Sequence, residues 1–126
     1  VKSLARIAVI GVAVTAVTLG TSTAAMAENV TLTTMHGTAK VEWVSHGEHL
    51  YITDRVADGH SAVGVYEMGT KYYYWNSKGK GTTRHVNLSL PENRAIAVGI
   101  MTGDWQGTPT GGLHWDTLTT QTTSTS

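Results

Sequence analysis

Cysteine and phenylalanine are both absent from this chain. Without cysteine, no disulfide can staple the fold and no thiol is available for lipid attachment. Without phenylalanine, the large apolar side chains are four tryptophans and five tyrosines, all beyond residue 27. An excess of either charge is missing too, since nine basic residues balance nine acidic ones. A nucleic-acid surface needs a clustered basic face, so that partner class is excluded from the reading. Helical periodicity is lacking after Ala27, and no Gly-x-Ser-x-Gly elbow occurs.

The first stretch present is VKSLARIAVIGVAVTAVTLGTSTAAMA. Lys2 and Arg6 give it a positive start, and Ile7 to Leu19 form an apolar run broken only by Gly and Thr. Ala25-Met26-Ala27 then offers the small residues that a signal peptidase reads. A membrane span needs about 20 apolar residues, and this run is shorter. The pattern predicts a secretory signal peptide over 1–27, cleaved after Ala27, and a product that is extracellular and not tethered to a membrane. The remainder carries seven basic and nine acidic residues, a net charge of −2 with His neutral.

After Ala27 the chain reads as short alternating runs separated by Gly, Asn and Asp. Strands are expected over 30–35, 38–44, 49–53, 60–68, 71–75, 83–90, 94–102 and 113–118. Ala39, Val41 and Trp43 share one face, as do Leu50 and Ile52, and as do Ile96, Val98 and Ile100. Trp43 is assigned to the core. The pattern predicts a single all-β domain over 28–118, a small antiparallel β-sandwich of Ig-like or Greek-key type, with a small β-barrel as the alternative. The final "TTQTTSTS", 119–126, is expected to be a flexible Thr/Ser-rich tail.

Four stretches could carry chemistry. "DRVADGHSAV" (Asp54 to Val63) holds two aspartates, a glycine and a histidine. Asp58-Gly59 is turn chemistry, and a calcium loop would need more oxygen ligands than Asp54 and Asp58 supply. His60 and Ser61 are strand neighbours that point to opposite faces, which argues against a Ser-His-Asp triad. "HGEH" sets His46 and His49 three apart across a turn, with His36 or His60 as further ligands. That is neither the spacing nor the helical context of a metalloprotease. The reading therefore assigns no catalytic residue, no cofactor and no metal.

The aromatic run "KYYYW" places Tyr72 and Tyr74 on one face and Tyr73 and Trp75 on the other. The loop "MTGDWQGTPTGG" (Met101 to Gly112) isolates Trp105 among small and polar residues. Tyr72, Tyr74, Trp75 and Trp105 are the candidate ligand contacts, because planar aromatics suit stacking on sugar rings or anchoring a protein.

The "ADGHSAV" stretch at Ala57 to Val63, following strand residues, resembles a group of small secreted actinobacterial, Streptomyces-like, β-proteins. The likeness extends over roughly Trp43 to Trp75. It implies secretion and an all-β fold and implies no chemistry. Many of those proteins contain cysteines, so this chain must stabilise its core differently. The expected function is that of a secreted, non-catalytic binding module whose partner is an extracellular polysaccharide or a secreted protein. The alternative is a proteinaceous inhibitor of a secreted hydrolase, presenting the loop from Asp104 to Pro109. No oligomeric state follows from the sequence.

Overall fold

The computed structural model describes residues 28–125. The leader expected over 1–27 lies outside the described residues. Eight strands follow in chain order: β1 (Val30–Thr33), β2 (Ala39–Val44), β3 (His49–Asp54), β4 (Ser61–Met68), β5 (Thr70–Asn76), β6 (Thr83–Asn87), β7 (Ala95–Gly103) and β8 (Leu113–Ser124). No helix occurs among the described residues. The strands form two four-stranded antiparallel sheets, ordered β1-β2-β3-β6 and β5-β4-β7-β8. The chain crosses between the sheets three times, at β3–β4, β5–β6 and β6–β7. The fold is a small β-sandwich and not a closed barrel.

Alternation builds the interior as expected. On β2, Ala39, Val41 and Trp43 are fully buried, while Lys40 and Glu42 are not. Val41 faces Ile52 across the pair, and Trp43 faces Leu50. Ile96, Val98 and Ile100 of β7 close the core from the second sheet, with Ala62 and Tyr66 of β4. Each large side chain so buried contributes on the order of 1.5–3 kcal/mol.

Alternation fails on β4 and β7, where both faces are buried. These are the two central strands of their sheet, and a second cluster covers their outer face. Val63, Val65, Trp75 and Met101 form it, with Tyr73, Leu113, Trp115 and Leu118 packed against them. Aromatic side chains of the sheet itself thus act as a partial third layer. In a domain without disulfides, that outer cluster adds apolar burial that one interior alone would not supply.

The flexible tail expected over 119–126 is corrected. β8 continues to Ser124, and its Thr119–Ser124 half pairs with Ile100–Ala95 of β7. Thr125 is buried, its Oγ1 donating to Pro91 O at 2.6 Å and accepting from Arg94 N at 2.9 Å. Threonine is polar, yet its β-branched side chain favours the pleated sheet. Pairing also satisfies the backbone groups along the free edge of β7. The register shifts between Ile100 and Thr102, which pair with Thr119 and His114, so the ladder is interrupted there.

Candidate functional site

Within the stretch from Asp54 to Val63, residues 55–60 form a turn between the sheets, as its residues predict. Asp54 Oδ1 accepts from Val56 N at 3.3 Å, and Asp58 Oδ1 accepts from His60 N at 3.0 Å. Gly59 adopts φ +80°, a conformation that glycine tolerates and other residues resist. Both aspartates are thus occupied in local backbone turns. His60 and Ser61 do not form a triad with them, because His60 pairs with Asp104 instead.

The four aromatic candidates separate. Trp105 is 53% exposed, whereas Trp75 is only 8% exposed. Trp75 belongs to the outer cluster and is not a free surface ring, which corrects the expectation for it. Its Nε1 donates to Pro109 O at 2.9 Å, tying the Trp105 loop to β5. The two indoles meet edge to face, with centroids 5.1 Å apart. Tyr74 is half-buried and packs on the interior core. Tyr72 is exposed but stacks on Tyr66 at 4.8 Å.

Tyr74, Trp75, Ser77, Arg84, Trp105 and Pro109 line one groove of about 430 Å³, and Tyr72 does not. The groove runs along the flank where β5 of one sheet meets β6 of the other. Arg84, on β6, bridges the gap. Its Nη1 donates to Trp75 O at 2.8 Å, and its guanidinium lies 5.5 Å from the Tyr74 ring centroid. Arg84 was not singled out by the sequence, because only the sheet-to-sheet crossing brings it beside the aromatic strand.

A second group lies at one end of the sandwich. Ser61 pairs with Gly103, and Gly103 pairs with Leu113. One step further along the inner-facing row come His60 and Asp104, while His114 sits opposite Thr102. The row that supplies Ala62 and Ile100 to the core therefore ends in polar side chains at the mouth. His60 Nδ1 lies 2.6 Å from Asp104 Oδ1, and His114 Nε2 lies 3.1 Å from Asp104 Oδ2. The two imidazoles meet edge to face at 4.8 Å. The hydrogen bond to Asp104 raises His60 above the ordinary imidazole value. The same bond, helped by that to His114, holds Asp104 below the ordinary carboxylate value. A cleft of about 490 Å³ opens in front of the group and is also lined by His36, Asp58 and Asp116.

The "HGEH" histidines are not brought into one set. His49 Nδ1 lies 2.8 Å from His85 Nε2, on the outer face of the first sheet, and Tyr51 stacks on His85. His46 is exposed at the turn. Glu48, between them, is buried at φ +56° and its Oε1 accepts from Leu90 N at 2.8 Å. The turn thus anchors the chain after β6. His36 and His60, the further ligands considered, line the mouth cleft.

The fold and its surfaces define a β-sandwich with one aromatic groove on its flank and one His/Asp group at its mouth. No family model, curated protein or solved structure matches the chain.

Proposed function

We propose that this protein is a secreted, non-catalytic binding module, and that it binds carbohydrate along the groove between Trp105 and Arg84. The observation that carries the reading is Trp105, a half-exposed indole held edge-on against the buried Trp75. A tryptophan so placed offers an apolar face to the C–H surface of a sugar ring. Arg84 and Ser77 stand in the same groove to hydrogen-bond hydroxyl groups. The ring is pre-positioned, which lowers the ordering cost of binding.

Tryptophan fluorescence, titrated with a panel of soluble polysaccharides, tests this. A saturable change in the natural protein that disappears in Trp105→Ala, with an unchanged circular dichroism spectrum, supports it. Saturable binding that survives Trp105→Ala would sink the assignment of the groove.

A second reading is favoured by the anchoring of the loop. Asp104 N donates to Gly112 O at 2.8 Å, and Pro109 O is held by Trp75. A loop fixed at its base and exposed at its tip is what an inhibitor presents to a hydrolase cleft. Tight, saturable loss of activity in one secreted hydrolase, without any glycan response, would favour this reading.

A further inference from the structure

We infer that His60, Asp104 and His114 form a binding site for a divalent transition-metal ion of the zinc type, at the mouth of the sandwich. The inference does not depend on the carbohydrate reading.

The donor set comes first. Two imidazole nitrogens and one carboxylate oxygen suit borderline ions such as Zn²⁺, whereas Ca²⁺ and Mg²⁺ prefer oxygen alone. One ligand atom from each residue lies within 4.8 Å of the other two. Zinc bonds of about 2.0–2.2 Å set tetrahedral ligand atoms roughly 3.3 Å apart. His60 Nδ1 lies 2.6 Å from Asp104 Oδ1 and His114 Nε2 lies 3.1 Å from Oδ2, so an ion replaces both hydrogen bonds and the carboxylate and imidazoles must shift to share it.

The supporting shell comes second. Thr102 Oγ1 lies 2.8 Å from His114 Nδ1, the ring nitrogen turned away from Asp104. Thr117 Oγ1 donates to His114 O at 2.7 Å and accepts from Thr102 N at 3.0 Å. Without an ion, Nε2 carries its proton to Asp104; on binding, the proton would sit on Nδ1 and be donated to Thr102 Oγ1, leaving the Nε2 lone pair for the ion, as in metal-bound histidines. His60 is set by the turn bond from its N–H to Asp58, and Asp104 by its N–H to Gly112.

The surroundings come third. All three side chains are partly exposed, and His60 and His114 line the mouth cleft. Three protein ligands leave the fourth position of a tetrahedral ion to water or an external ligand. Asp104 opens the Trp105 loop, and His114 lies just past its end at Gly112. A metal held by both would cross-link the base of that loop.

The same atoms, without a metal, make a hydrogen-bonded His–Asp–His group, and the experiment must separate the two. Untagged protein, stripped with EDTA, is titrated with ZnCl₂ by calorimetry at pH 7.5. One equivalent of Zn²⁺ is expected to bind and to raise the melting temperature. His114→Ala and Asp104→Asn should each weaken that binding by more than about tenfold, and His85→Ala should leave it unchanged. Where a variant does not fold, imidazole resonances of the natural protein decide. His60 and His114 must shift with Zn²⁺, and His49 and His85 must not. Absence of saturable binding up to about 1 mM, an affinity too weak to be specific, would overturn the site and leave a hydrogen-bonded cluster. Binding lost in His85→Ala but kept in His114→Ala would overturn it too, by placing the ion on the outer-face pair.

Discussion

The indole of Trp105 stands nearly perpendicular to that of Trp75, at 84°, and the two rings do different work. Trp75 covers the outer face of the sheet with Val63 and Met101, while Trp105 leans on it from solvent. Trp75→Ala should cost about 3–5 kcal/mol, the range for emptying a buried aromatic site. Trp105→Ala should cost less than about 1 kcal/mol, as surface substitutions do. Urea denaturation of the two variants checks this. Equal losses would mean that Trp105 is a structural lid and not a contact.

Two glycines separate a turn that needs only a conformation from one that also needs space. A Cβ at Gly59 would meet nothing, so Gly59→Ala pays only for its φ of +80°, about 1 kcal/mol. At Gly112, φ is +73° and a Cβ would collide with the backbone oxygen of Asp104. Gly112→Ala should therefore cost well above ~2 kcal/mol, because strain and clash add. Thermal melts of the pair settle the order, and a milder effect at Gly112 would show that the loop base yields easily.

Asp54 makes a prediction about pH. Burial raises its carboxyl above the ordinary 3.8, and the Asp58 charge adds to that, against the lowering effect of the Val56 N–H. A raised folded-state value means that the unfolded chain ionises first. Stability therefore falls as pH rises from below 3.8 through the raised value, and the cost is complete above it. Asp54→Asn keeps an oxygen for Val56 and carries no charge. It should melt at or above the natural protein at pH 7, with the advantage gone by about pH 3, where both forms are neutral. A lower melting temperature at pH 7 would mean that the charge stabilises the turn.

The strands were legible because their signals are local. Ala39, Val41 and Trp43 alternate with Lys40 and Glu42, and glycines punctuate the turns. The double burial of Val63 and Val65 alongside Ala62 and Tyr66 was not, since it depends on which strands lie centrally. Tyr74, Trp75 and Trp105 are legible as aromatics, but their sorting into packed and exposed rings follows from the interior core and the outer cluster. Asp104 and His114 could not be joined to His60 by spacing. They meet because β4, β7 and β8 are neighbours, and the adjacency is set by tertiary contacts. The run after Leu118 carries two opposed signals, since threonine is both polar and strand-forming, and pairing with β7 decides between them.

That run supplies the last prediction. A chain ending after Leu118 loses the partner of β7 from Ala95 to Ile100. The exposed edge would carry Ile96, Val98 and Ile100, an invitation to pair with another chain. The truncated protein should aggregate or lose its cooperative melt in calorimetry, and a sharp melt near that of the full chain would refute the role given to β8.

The placement of β8 also has a consequence in time. Thr123 Oγ1 donates to Glu28 O across 95 positions of sequence, so the two ends of the domain are laced together. Contacts so far apart make for slow folding, and they cannot form until both partners have been made. β7 has one edge open until the residues of β8 have been made. The last strand in sequence is thus the one that closes the second sheet, and before it exists the apolar edge of β7 has no partner.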